Sequence, residues 1–232
     1  MPEEKNNTTA GHRIRLWRKF LDQGLRVGFV HNYEKLEFLL TFILPRQNTK
    51  PLAKTLLDRF GSFNRVVTAP RARLMNVEGV GERVAGFLNM LHEVGLALDE
   101  EKLADRDLLT DPELVKAYVR RELAWEEAEY MIAIFLDSKN HLAGMSRAFR
   151  GTLDRVAHYP RELAKDALEL NAAGMLIAHN HPSGKSEPSQ ADITHTQHLA
   201  KGLEILEIRL LDHLVIGRDG VVSMRDRGLI WR

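Results

Sequence analysis

The sequence predicts an α/β (α+β) protein in two parts: an all-α module, then an α/β sandwich built on a mixed sheet. Three observations carry this. The front of the chain holds apolar helical stretches punctuated by Pro and Gly, such as "YEKLEFLLTFIL" (33–44) and "PLAKTLLDRFG" (51–61). After about residue 127, apolar and partly β-branched runs alternate with amphipathic ones, the pattern of strands interleaved with helices. Charge divides the same way. Residues 1–96 hold 15 Lys+Arg against 9 Asp+Glu, whereas the remainder holds 18 against 23. A basic front half joined to an acidic back half suggests modules with different partners.

The elements follow in order. Residues 1–14 read as a disordered N-terminus. Residues 15–96 form the helical module. Within it, "APRARLMNVEGVGERVAGFLNML" (69–91) reads as two short helices around a glycine turn. The charged, Pro-containing stretch 97–112 is the expected linker, and 113–232 the second domain. "DPELVKAYVRREL" is a helix with Asp111 as its cap and Pro112 at its first position. "YMIAIFLD", the turn "SKNH" and "HLAGMSRAFRG" give a hairpin, and "YPRELAKDALELNA" an amphipathic helix. "AGMLIAHNH" suits a strand buried on both faces, and "SQADITHTQHLAKGLEIL" a helix capped by Ser189. "IRLLDHLVIG" and "GVVSM" close the sheet.

Composition narrows the function classes. Hydrophobic content of 44% and charged content of 28% are ordinary for a globular protein of 232 residues. Cysteine is absent, which removes disulfides, thiolate metal sites and a cysteine nucleophile. Any metal site must use His, Asp and Glu. No run approaches the roughly 18 apolar residues of a membrane span, and "LEFLLTFIL" (36–44) reads as a buried helix. The N-terminus has no apolar core beside its charges, so no signal peptide is expected. These features fit a cytoplasmic protein with no membrane partner, although a cysteine-free chain survives in any compartment.

The chemistry concentrates in "AHNHPSGKSEPSQAD" (178–192). His179 and His181 lie two apart at a strand end, so period-two geometry aims both the same way. Asp192 falls in the first turn of the next helix, three residues after Ser189. A strand end and a helix start thus direct two imidazoles, a carboxylate and a hydroxyl at one point. Two His and one carboxylate are a common Zn²⁺ ligand set with a fourth position left for water. The same residue types also make up an ordinary strand-to-helix loop, and the set could serve a metal-dependent phosphoesterase.

The complete string, His-x-His, seven residues, then Ser-x-x-Asp, resembles the signature of JAMM (MPN+) metalloproteases. The surrounding text resembles the bacterial RadC family in "FLDSKN" (135–140), "FRGTLD" (149–154), "YPRELAKDALELNAA" (159–173) and "LLDHLVIG" (210–217). The resemblance implies a JAMM/MPN-like, cytidine-deaminase-like sandwich binding one Zn²⁺ per chain through His179, His181 and Asp192. It also implies an upstream general base, for which Glu129, heading "EYMIAIFLD", is the candidate among the acids of "EEAEY". Ser189 is the candidate oxyanion donor, beside its role as a helix cap. Where many relatives carry acids before the "FRGT" piece, this chain has Ser146 and Arg147. His195 and His198 read as surface residues, and His213 as a buried structural histidine with Asp212 as its natural partner.

The front half resembles the helix-hairpin-helix region of that family. In "LMNVEGVGERVAGFL" (74–88), Gly79 and Gly81 allow a sharp turn whose amides could hold a DNA phosphate, with Arg83 adding charge. The glycines could equally just join two packed helices, with Ala85 and Leu88 inward. The basic, aromatic run "HRIRLWRKF" (12–20) is a second nucleic-acid candidate, or an arm docking on the second module. The expected activity is zinc-dependent hydrolysis of a peptide or isopeptide bond in a protein or peptide substrate. The competing reading is a non-catalytic, nucleic-acid-associated protein with a structural or vestigial metal site.

Overall fold

Six helices fill the front of the chain in a computed structural model that describes residues 3–104, 106–150 and 159–230. They are α1 (Glu3–Gly28), α2 (Asn32–Ile43), α3 (Lys50–Phe60), α4 (Phe63–Val67), α5 (Arg71–Met75) and α6 (Glu82–Ala104). Helix α3 stops at Gly61, whose φ of 87° gives the left-handed cap that a trailing glycine favours. Leu36, Leu40, Leu56, Leu74, Ala85 and Leu88 form one buried cluster. Ala85 and Leu88 therefore face inward, as their spacing suggests.

Helix α1 begins at Glu3 and so occupies most of the stretch expected to be disordered. Its ties are to α2, which composition does not reveal. His12 Nε2 lies 2.8 Å from Glu37 Oε1, and Arg13 donates to the Thr41 carbonyl at 2.8 Å. Trp17 packs edge-on to Phe38 with ring centroids 5.5 Å apart. The basic, aromatic run of 12–20 is thus an amphipathic face docked on α2 of its own module.

The chain divides into two units, Met1–Val94 and Gly95–Arg232, so the boundary falls inside α6. The helix after the glycine turn is long, not short. The stretch expected as a linker is helical to Ala104, and Leu103 and Leu108 are buried in the core of the second unit. Its many charges mask an apolar stripe.

The second unit continues with α7 (Pro112–Leu123), β1 (Tyr130–Leu136), β2 (Leu142–Arg150), α8 (Tyr159–Glu169), β3 (Gly174–Asn180), α9 (Gln190–Ile205), β4 (Arg209–Ile216) and β5 (Val221–Ser223). Asp111 holds the N-cap position of α7 without a side-chain cap bond; its carboxylate lies 3.6 Å from Arg106 instead. The sheet order is β2-β1-β3-β4-β5. Only β3 and β4 are parallel, joined by the α9 crossover; the other pairs are antiparallel. Alternation sorts the side chains into two cores. Ile132, Ile134, Leu136, Leu176, Ala178, Leu214 and Ile216 meet α7 residues Val115, Tyr118, Val119 and Leu123. Ala133, Phe135, Met175, Ile177 and Val215 meet Leu163 and Ala167 of α8 and Leu199 and Leu203 of α9. The result is the expected mixed-sheet sandwich, helix on both faces.

One irregularity positions the site. Met175 pairs with Leu210 and Leu176 with Asp212, so Leu211 is an extra residue in β4. The bulge shifts the phase of everything after it. His213 and Val215 then face α9, while Asp212 and Leu214 face the other way. No helix among the described residues is long and apolar enough to cross a membrane. Residues 151–154 of the "FRGTLD" piece lie outside the described residues.

Candidate metal centre

His179 is the sixth residue of β3 and follows Met175 and Ile177 on the face covered by α9. His181 lies just past the strand, where its amide donates to the Ile216 carbonyl at 2.9 Å. Asp192 is the third residue of α9. Its position comes from a reciprocal cap: the Asp192 amide donates to Ser189 Oγ, and the Ser189 amide donates back to Asp192 Oδ2. The Ser189 hydroxyl also donates to Oδ2, at 2.6 Å.

These three residues converge. One ligand atom from each of His179, His181 and Asp192 lies within 4.8 Å of the others. The two Nε2 atoms are 3.0 Å apart, and each is 3.4 Å from an Asp192 oxygen. No other group of three His, Asp or Glu residues among the described residues meets that geometry. The donor set, two imidazole nitrogens and a carboxylate at a half-open spot, fits a borderline divalent cation such as Zn²⁺.

Electrostatics favour positive charge at this point. Burial pushes the Asp192 carboxyl up, but the hydrogen bond with His181, the adjacent His179 ring and the Ser189 bonds outweigh it and hold the group well below the carboxylate range. The hydrogen bond to Asp192 raises His181, against burial. Burial drives His179 down to about 4, so its ring is neutral near pH 7. His181 Nδ1 is 2.9 Å from the Lys185 carbonyl. A carbonyl only accepts, so Nδ1 carries a hydrogen and Nε2 is the atom that faces Asp192 and, once it has lost its proton, a cation.

The loop between the ligands is tied down. Gly184, at φ 90°, closes a turn onto the His181 carbonyl, and the Ser186 amide donates to Asp219 Oδ1 at 2.9 Å. The Lys185 side chain is exposed; its backbone, not its charge, serves the site.

Glu129 directly precedes β1, outside the ligand triad. Burial and the Asp192 charge raise its carboxyl, opposed by His181, so its field reaches the same centre. Asn180, between the two histidines but on the opposite face, secures this segment. Its Oδ1 accepts from the Tyr130 amide at 2.8 Å, and its Nδ2 donates to the Ala128 carbonyl at 3.0 Å. Glu129 is therefore bracketed by two residues pinned to the ligand strand. Spacing alone missed Asn180, because attention to one face of a strand ignores the other. Arg147 pairs with Glu122 at 3.0 Å and with Glu126, and lies 4.4 Å over the Tyr130 ring. The Ser146 hydroxyl is buried with no hydrogen-bond partner among the described residues.

The remaining histidines separate cleanly. His195 and His198 are exposed on α9. His213 is buried, as expected, but Asp212 is not its ring's partner. The Asp212 carboxylate accepts from the His213 amide, the Ser223 hydroxyl and the Arg225 amide. The His213 ring instead meets His179 and Thr196.

In the front unit, α5 and α6 flank a turn in which Gly79 has a φ of 84° and the Val80 amide donates to the Val77 carbonyl at 3.0 Å. Gly81 precedes α6 and Arg83 is exposed in its first turn. The turn spends the Val80 amide internally; the geometry is that of two joined helices.

The RadC-like JAB domain family matches residues 109–229. A UPF0758 protein of Ruegeria pomeroyi is 41% identical over 219 residues, covering 94% of this chain and 97% of the relative. One of Rhodobacter capsulatus is 42% identical, covering 93% and 100%. One of Fusobacterium nucleatum is 38% identical, covering 98% and 99%.

Proposed function

The chain belongs to the RadC-like JAB domain family, and on that premise we propose that it is a zinc-dependent hydrolase of amide bonds, a metallopeptidase or isopeptidase. The observation that carries the reading is the convergence of His179, His181 and Asp192 within 4.8 Å. Those residues hold one Zn²⁺ per chain. The ion, when bound, supplies a Lewis acid that polarises the scissile carbonyl and lowers the pKa of a nearby water.

The chain's own groups do the rest. Glu129 takes a proton from the attacking water as the oxygen bonds to the carbonyl carbon. It returns that proton to the leaving nitrogen as the C–N bond breaks. Its raised carboxyl suits both directions of transfer. Ser189 donates a hydrogen bond to the tetrahedral oxygen. Its hydroxyl now serves Asp192, but the Ser189 amide also holds Oδ2, so the carboxylate keeps a tie when the hydroxyl turns. The substrate is a protein or peptide, and the setting cytoplasmic. Contacts of Gly79, Gly81 and Arg83 with DNA phosphates remain an accessory proposal; affinity that ignores salt refutes it.

Metal analysis is the first test. One zinc per purified chain is expected, and none in the His179→Ala/His181→Ala variant. A screen on peptide and isopeptide substrates follows. Activity in the native protein that Glu129→Ala leaves untouched removes Glu129 from the mechanism; zinc retained by the double variant removes the site.

A further inference from the structure

Three buried side chains, His179, His213 and Thr196, form a chain with one possible direction. His179 Nδ1 is 2.7 Å from His213 Nε2, His213 Nδ1 is 2.5 Å from Thr196 Oγ1, and Thr196 Oγ1 is 2.6 Å from the Asp192 carbonyl oxygen. His179 is 1% exposed, His213 3% and Thr196 1%. Water therefore does not supply alternative partners.

The direction follows from the last link. A carbonyl oxygen cannot donate, so the single hydroxyl hydrogen of Thr196 lies on the bond to Asp192. The reverse orientation would set two oxygens with no hydrogen between them at 2.6 Å. Bonding back to the carbonyl four residues earlier is also the ordinary habit of a helical threonine. The Met224 contact is no rival: its Sδ is 3.8 Å from Thr196 Oγ1 and a weak acceptor. With its hydrogen committed, the Thr196 oxygen can only accept from His213, which must carry its proton on Nδ1. His213 Nε2 then has only a lone pair, and His179 must donate to it from Nδ1. The relay is buried and offers neither ring a charged partner along it, so each ring has one proton to place.

We infer that the Asp192 carbonyl, acting through Thr196 and His213, fixes His179 as the Nδ1–H tautomer and so presents its Nε2 lone pair to the metal position. His213 and Thr196 are positioning residues for a ligand they hold from behind. The loop is closed: the residue whose carboxylate faces the ion also anchors, through its own backbone, the orientation of the opposing imidazole. The Nδ1 of His181 is likewise committed, to the Lys185 carbonyl.

The affinity part of this inference rests on the metal-site reading, but the tautomer part does not. The test uses the full-length chain labelled with ¹⁵N-histidine. In metal-free native protein, two-bond ¹⁵N–¹H spectra should show His179 and His213 both as Nδ1–H tautomers. An Nε2–H tautomer at either ring overturns the inference, whether or not zinc binds. Thr196→Val, which keeps shape and removes the hydroxyl, should mix the tautomers of His213 and His179 and weaken Zn²⁺ binding roughly 10- to 100-fold. Thr196→Ser should restore both. A folded Thr196→Val variant with native tautomers and native zinc affinity also overturns it. If native protein binds no zinc while the tautomers are as stated, the metal reading fails and the relay stands.

Discussion

Replacing Asn180 by alanine should loosen the second unit by about 2–3 kcal/mol. The side chain is 1% exposed and makes three bonds: from the Tyr130 amide at 2.8 Å, to the Ala128 carbonyl at 3.0 Å and to the Glu126 carbonyl at 3.4 Å. Truncation leaves the Tyr130 amide and the Ala128 carbonyl without that partner. A buried group so stranded costs roughly 1–3 kcal/mol. Tyr130 and Ala128 are only partly covered, so water recovers some of the loss. The longest bond adds little. Urea unfolding is the assay. With a slope near 1–3 kcal/mol/M, the midpoint of the transition belonging to residues 95–232 should fall by about 1 M at unchanged slope. Asn180→Asp sharpens the result. A carboxylate still accepts from Tyr130 but sets an anionic oxygen against two carbonyls, which raises its folded pKa. The variant should be at least as unstable as Asn180→Ala at pH 7 and recover as pH falls through that raised pKa, where the protonated acid again donates. A loss below about 0.5 kcal/mol for Asn180→Ala, the range of ordinary surface changes, would refute the claim that this amide clamps the Glu129 segment.

Three further outcomes test other parts of the structure. Burial raises the Asp99 carboxyl, but the bonds from Lys102 at 2.8 Å and Arg121 at 2.6 Å prevail and depress it. The stabilisation is present above the unfolded carboxylate pKa and lost as pH falls through the lowered one; Asp99→Asn should cost about 1 kcal/mol in urea titrations at pH 7 and converge with native protein at strongly acid pH. Gly79→Ala should cost about 1–2 kcal/mol in the unfolding of the front unit, because a φ of 84° strains any side chain, although the added Cβ meets only Leu52 at an ordinary 3.7 Å. His195→Ala/His198→Ala should leave zinc content and affinity at native levels, since both rings are exposed on α9; lost metal would show that one of them reaches the centre.

Much of the fold was legible because it is written locally. The hairpin of β1 and β2, the doubly buried β3 and the Ser189-capped α9 each declare themselves within one stretch of sequence. The His-His-Asp cluster that could hold a metal was legible for the same reason, lying wholly within 178–192. The misreadings share a cause as well. Residues 97–112 look like a linker by charge, yet Leu103 and Leu108 are placed to be buried once the sheet exists to receive them. The stretch around His12 and Arg13 looks loose until α2 supplies Glu37 and the Thr41 carbonyl as partners. Composition reports what a segment costs to bury, not what waits for it across the fold.

The pairing of His213 with Asp212 failed for a more specific reason. Neighbours in a strand point apart, so adjacency argues against a side-chain pair. Which of the two faces α9 is decided by the bulge at Leu211, and nothing in "IRLLDHLVIG" announces it. The phase has chemical consequences. With regular pairing from Leu210 onward, position 212 would face α9, and a buried carboxylate, not an imidazole, would stand behind His179. A carboxylate would also accept the Nδ1 hydrogen, but as an anion it would raise the pKa of His179 and let a proton compete with a cation for Nε2. The bulge substitutes a neutral acceptor whose own proton is committed elsewhere. It thereby keeps His179 oriented and uncharged at once, which adjacent residues on an unbroken strand could not do.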